Sequence, residues 1–148
     1  RVVECGIPFT WVQVEMHPHF CDFALLEWCQ ARGIAVQAWA PLGRGQMSVD
    51  PDLVAIGKKY GKTASQVALK WIVQNGCLPL PCSRNPMHMA SNLAVADWLL
   101  VEEDMQRIRM RAQQGARTRI SLERGLGFTD EFDFTYEQCW PRTYTHLS

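Results

Sequence analysis

The stretch Ala38-Trp39-Ala40-Pro41-Leu42-Gly43-Arg44-Gly45 brings an indole, a guanidinium and two glycines together where an apolar run ends. Those residue types suit a phosphate-handling loop. Glycine lets backbone N–H groups approach an anion, arginine adds a charge-assisted contact, and an indole can stack on a flat ring. A tight turn followed by a surface arginine explains the same residues, and the local sequence leaves the two readings level. A second candidate is Ser83-Arg84-Asn85-Pro86, where a hydroxyl and a cation precede the first turn of an expected helix. Taken alone, an ordinary capped helix is the simpler expectation there. His17-Pro18-His19 offers two imidazoles, but no third ligand follows at a metal-site spacing. The expectation is therefore no metal, and a histidine bonded to backbone as a latch. The six cysteines contain no C-x-x-C pair and sit mostly among apolar neighbours, as reduced thiols do.

These groups need elements to hold them. Thr10–Met16 alternates polar and apolar residues and reads as a strand, with Gln13 and Glu15 on the face opposite Val12 and Val14. Asp22 is expected to cap a helix running to about Arg32, with Leu25 and Cys29 inward and Gly33 at its end. Ile34–Ala40 reads as a buried strand. Asp50-Pro51 then combines a cap with a first-turn proline, and Leu53, Ile56 and Tyr60 mark the inner side of a helix stopped by Gly61. Thr63–Gln66 forms a capping box before the apolar stripe Val67, Ala68, Trp71 and Ile72, closed by Asn75-Gly76. Two prolines in Leu78–Ser83 restrict it to a very short strand. Asn85-Pro86 opens a further helix, and Glu102–Ala112 a last one with Met105 and Ile108 inward.

Strands alternating with helices imply parallel strands joined by helical crossovers. The chain has 148 residues, 47% of them hydrophobic, enough for a sizeable core. Fifteen basic residues balance fifteen acidic ones, so the overall charge gives no reason to invoke nucleic acid or an anionic membrane. No apolar run reaches the roughly 18 residues of a membrane span, and no signal-peptide pattern is present, which makes the cytoplasm the expected location. The chain begins at Arg1 and is expected to be a piece of something longer. Residues 1–6 read as a frayed helix end, and 113–148 as an extended tail carrying Phe128, Phe132, Phe134, Tyr136, Trp140 and Tyr144. The expected organisation is thus a β/α part over 1–112 and an aromatic-rich C-terminal tail over 113–148. A closed (β/α)8 barrel takes about 250 residues, so in such a barrel these would be the last three units.

Gln13-Val14-Glu15-Met16-His17-Pro18, Ala38–Gly45, Tyr60-Gly61-Lys62-Thr63 with Gln66–Trp71, and Leu80-Pro81-Cys82-Ser83 with Asn92 together resemble the aldo-keto reductase superfamily. The match extends over about Arg1–Arg111 in the family's order. The resemblance implies an α/β fold, the C-terminal part of a (β/α)8 TIM barrel. It implies a nicotinamide cofactor, NADP(H) or NAD(H), and reduction of aldehydes or ketones. By position, Gln13 resembles the side chain that holds the nicotinamide carboxamide. Trp39 stands where the family usually stacks a tyrosine, and Ala40 replaces a common serine. Leu42, Gly43 and Arg44 match the loop against the pyrophosphate, Ser83 a hydroxyl near the adenosine phosphate, and Asn92 the amide that reads adenine.

Cys82 stands in place of a lysine, His88 of an arginine and Ser91 of a glutamate, which removes most of the usual grip on a 2′-phosphate and leaves cofactor preference open. Arg84 is a candidate for the compensating cation. The family's catalytic tyrosine, lysine, aspartate and histidine belong to the barrel's first half, and Tyr60, Tyr136 and Tyr144 do not match that tyrosine. Two function classes are therefore expected. One is the cofactor-binding part of a carbonyl reductase whose catalytic tetrad is absent from this chain. The other is a non-catalytic half-barrel module that binds a nucleotide or a partner.

Overall fold

The computed structural model describes residues 8–115. The expected helix end over 1–6 and the aromatic cluster of the tail lie outside the described residues, as do Cys5 and Cys139. Strand β1, Trp11–Glu15, pairs in parallel with β2, Ala35–Trp39, so that Gln13 lies beside Gln37 and Glu15 beside Trp39. Strand β3 is only Leu78–Pro79 and pairs in parallel with β2 at Gln37 and Ala38. Proline has no N–H for a ladder, which keeps β3 short, although Leu80 N–H still donates to the Ala38 carbonyl at 3.1 Å.

Alternation gives this sheet two unlike faces. Val36 and Ala38 point into the apolar core, and Val12 and Val14 pack against it. Gln13, Glu15, Gln37 and Trp39 occupy the other face. Helix α1, Phe23–Gln30, connects β1 to β2 and is capped by Asp22, whose carboxylate accepts from Leu25 N–H. The inward residues of α1 are Phe23, Leu26 and Cys29; Leu25 is only half-buried, one position off the expected stripe. The helix ends at Gln30 rather than Arg32, and left-handed Gly33 at φ 67° turns the chain into β2.

Helices α2, Pro51–Tyr60, and α3, Ala64–Gln74, fill the connection from β2 to β3. Asp50 caps α2 and left-handed Gly61 closes it, as expected. Leu53, Ile56 and Gly57 are the buried residues of α2, and the chain at Lys62 and Thr63 folds back against Gly57 and leaves no room for a Cβ there; Tyr60 is half-buried and packs against the core. Thr63 and Gln66 form the capping box of α3, and Val67, Ala68, Trp71 and Ile72 are fully buried. Helix α4, Pro86–Leu93, follows β3, and α5, Glu102–Gln114, covers the core with Ile108 and Ala112. Met105 is half-buried. Asp104 is buried instead, where its carboxylate accepts from Lys59 Nζ at 2.8 Å and Tyr60 Oη at 2.6 Å.

The histidine latch has the expected backbone partner and carboxylate partners besides. His17 is buried, with Nε2 3.1 Å from Glu15 Oε1, and its Nδ1 accepts from His19 N–H. His19 in turn bonds Asp50 Oδ2 at 2.6 Å. Side-chain carboxylates therefore hold both rings, because buried Asp50 and half-buried Glu15 also need donors.

Candidate functional site

A cavity of about 700 Å³ opens at the C-terminal ends of β2 and β3. Its β2 side begins at Trp39, the strand's last residue. Ala40 then takes a left-handed φ of 49°, a conformation that costs a non-glycine residue about 1 kcal/mol or more. The turn it starts is closed by Gly43 N–H donating to the Ala40 carbonyl at 2.8 Å. Gly45 N–H donates to the Leu42 carbonyl at 3.0 Å. The amides of the two glycines themselves are therefore consumed in holding the turn.

Glycine is needed at 43 for another reason. Its φ is 52°, and a Cβ there would stand 3.0 Å from the end of buried Met47. Arg44 is also left-handed, at φ 55°, and its guanidinium lies 5.7 Å from the centre of the Trp39 ring. The cation is therefore delivered to the cavity by its side chain, beside the indole.

Trp39, Ala40, Leu42, Arg44, Cys82, Ser83, His88 and Asn92 all line this cavity. Gly43 does not, because it is buried behind the turn, and exposed Arg84 also lies outside the lining. Gln13 is absent from the lining too; it sits mid-strand on the sheet face shared with Trp39. Three hydroxyls that sequence reasoning did not assign, Ser48, Thr63 and Ser65, line it as well. The capping box was their one available signal, since it marks Thr63 as the start of a helix whose N-terminus faces the cavity. Ser83 Oγ accepts from Asn85 N–H at 3.1 Å, and the Asn85 side chain caps α4 through Met87 N–H.

No aspartate or glutamate lines the cavity. The side chains of Arg44, His88, Ser65 and Asn92 make no hydrogen bond or ion pair within the described residues, so one full cation and several donors face it uncommitted. The carboxylates lie elsewhere. Asp50, just after the Gly43–Val49 turns, accepts from Arg111 at 2.7 and 2.9 Å, from His19, and from Asp52 and Leu53 N–H groups. Burial by itself raises its pKa, but the Arg111 guanidinium and the other donors outweigh that and hold the carboxyl well below the usual range. For His17, burial dominates and lowers the pKa, with Glu15 offsetting part of the effect. The latch thus anchors the far end of the cavity loop.

The aldo/keto reductase family model matches residues 2–112, and the chain belongs to that family. It is similar to the uncharacterized oxidoreductase YtbE of Bacillus subtilis, 38% identical over 96 residues, which make up 65% of this chain and 34% of that protein. Glyoxal reductase of Bacillus subtilis is 35% identical over a region of the same length. Among solved structures, the chain is similar to a Gox0644 mutant in complex with NADPH, with TM-score 0.72 and 30% identity, covering 91% of this chain and 46% of that one. Similarity to the aldose reductase from Schistosoma japonicum has TM-score 0.74 at 26% identity, covering 90% of this chain and 44% of that one. The three β/α units are accordingly the C-terminal part of a (β/α)8 barrel, and the chain spans about a third of the length of the curated relatives it matches. Among the described residues no helix is long and apolar enough to cross a membrane, and no group of three or more metal-ligating residues occurs.

Proposed function

We propose that the cavity binds a nicotinamide dinucleotide, NADP(H) or NAD(H), and that residues 1–112 are the cofactor-binding part of an oxidoreductase reducing aldehydes or ketones, with 113–148 as a separate tail. The observation that carries this reading is a cavity of about 700 Å³ with an arginine, a histidine, an indole and several hydroxyls on its walls and no carboxylate. That volume suits a ligand of cofactor size, and the donor set suits an anionic one.

In this reading Trp39 stacks against the nicotinamide, with Gln13 further along the same sheet face to orient its carboxamide. Arg44 meets the pyrophosphate, with Ala40, Leu42 and Gly43 shaping the turn that carries it. Cys82, Ser83, Arg84, His88 and Asn92 receive the adenosine end. A bound reduced nicotinamide supplies the hydride for carbonyl reduction. Among the described residues no tyrosine is placed as the general acid. Tyr60 does not line the cavity, and its hydroxyl is spent on Asp104. Burial and that carboxylate raise its pKa, the opposite of what a proton donor to a carbonyl oxygen needs.

Dissociation constants of the full chain for NADPH and NADH test the binding half of the proposal. Arg44→Ala should weaken both by about tenfold or more, the effect of losing one charge-assisted contact. Binding no tighter than about 1 mM for either cofactor, or indifference to Arg44→Ala, would sink it. Steady oxidation of NADPH by the chain with an aldehyde, lost on replacing Tyr60, would overturn this reading of Tyr60.

A further inference from the structure

Helix α4 carries His88, Ser91 and Asn92 into the cavity wall, yet none of its residues is buried. Its large apolar side chains Met87 and Leu93 are 77% and 81% exposed. Apolar burial is what normally fixes a helix to a domain, and here it is missing. Polar side chains of α3 take over that task. Gln66 Nε2 donates to the carbonyls of Ser91 at 3.1 Å and Ala94 at 3.4 Å, at the end of α4. One turn on, Lys70 Nζ donates to the Val95 carbonyl at 2.8 Å. After another turn, Gln74 exchanges two hydrogen bonds with the backbone of Leu100.

Gln66 does two jobs with one amide. Its Oε1 accepts from Thr63 N–H and completes the capping box, while its Nε2 reaches across to α4. A residue of the first turn of α3 therefore also sets where the cavity-lining side of α4 stands. We infer that Gln66 is a positioning residue for the adenosine end of the nucleotide site, holding Ser91 and Asn92 in the cavity wall through the α4 carbonyls. This rests on the nucleotide reading of the cavity.

The two jobs can be separated by substitution. Gln66→Glu keeps the acceptor for Thr63 and loses the donor to α4. Gln66→Lys keeps a donor and loses the acceptor for Thr63 N–H, the reciprocal half of the capping box. Both full-length variants would be titrated with 2′,5′-ADP, which presents only the adenosine end, and with reduced nicotinamide mononucleotide, which presents only the other. Gln66→Glu should weaken 2′,5′-ADP by about tenfold and leave the mononucleotide within about twofold, while Gln66→Lys stays nearer the parent for both. If Gln66→Lys is the more impaired, the cap alone matters and the inference fails. Equal weakening of both probes also overturns it, since a general loss of structure does that. In the unmodified chain, the Gln66 side-chain amide NMR signal should shift with 2′,5′-ADP and not with the mononucleotide; this reading needs no variant to fold, and no shift with 2′,5′-ADP counts against the inference. A parent chain that binds the mononucleotide or 2′,5′-ADP normally while Gln66→Glu behaves like the parent overturns the positioning role alone. A parent that binds neither probe overturns the nucleotide site and the inference with it.

Discussion

Helices α2 and α4 begin alike and end up in opposite situations. Each opens with an Asx cap followed by proline, Asp50-Pro51 and Asn85-Pro86, and each cap side chain accepts from the N–H two residues on. Helix α2 then buries Leu53, Ile56 and Gly57, and its cap is itself buried under Arg111 and His19. Helix α4 buries nothing and its cap is exposed. Local signals start both helices. The residues beyond each cap decide whether the helix stabilises the core or serves as a wall of the cavity.

The comparison breaks most readily at the apolar residues. Leu53→Ala should cost about 4 kcal/mol, because a side chain 1% exposed leaves a cavity that its neighbours cannot fully close. Leu93→Ala, at a side chain 81% exposed, should stay within about 0.5 kcal/mol. Urea unfolding of the two variants checks this, and similar losses would mean that α4 is packed after all.

The caps come next. Asp50→Ala should cost about 3 kcal/mol in urea unfolding, since it removes a cap, takes the carboxylate from His19 and leaves Arg111 with the Asp52 carboxylate alone. Asn85→Ala should cost about 1 kcal/mol, the usual loss for a cap alone.

Acid should narrow that difference. The folded-state pKa of Asp50 lies below its unfolded value, so its stabilisation is complete above about pH 4 and is lost as pH falls from there. His17 is also held below its unfolded value of 6.5, so its contribution is present above that pH and starts to fall as pH drops through it. Stability measured from about pH 8 to about pH 3 should therefore decline in two stages. Asp50→Ala should flatten the lower stage, and Asn85→Ala should leave both unchanged; an unaltered lower stage in Asp50→Ala would point to another carboxylate.

A last test concerns ligand choice around the start of α4. Cys82→Lys with His88→Arg should raise affinity for NADPH over NADH by about tenfold, by adding charge-assisted contacts for a 2′-phosphate. Paired dissociation constants for both cofactors measure it. A strong NADPH preference already present in the unmodified chain would mean that Arg84 or Arg44 supplies the cation.

Much of the site is legible in the residues themselves. Trp39, Arg44, Ser83 and His88 fall on one cavity because each lies close to the end of a strand or the start of a helix, and a parallel β/α order puts those ends on one side; Asn92 follows one helical turn after His88 on α4. The N–H groups of Gly43 and Gly45 are not legible in the same way, because a glycine pattern tells where the backbone can turn and not which carbonyl will take its N–H. Spacing alone points Leu25 and Tyr60 inward, and both pack against the core while only half-buried; the fully covered positions are Leu26 and Gly57.

The sequence by itself determined the caps of α1 to α4, the closing turns at Gly33 and Gly61, and the brevity of β3, since each is completed within a few residues along the chain. Only the tertiary structure decided that buried Asp50 joins Arg111 to the histidine latch, and that Gln66 reaches Ser91 and Ala94. Those partners are 25 or more residues apart in the chain, so no local pattern pairs them. They meet because apolar burial first brings α3, α5 and the sheet together, and the polar groups caught at the edges of that core must then find each other.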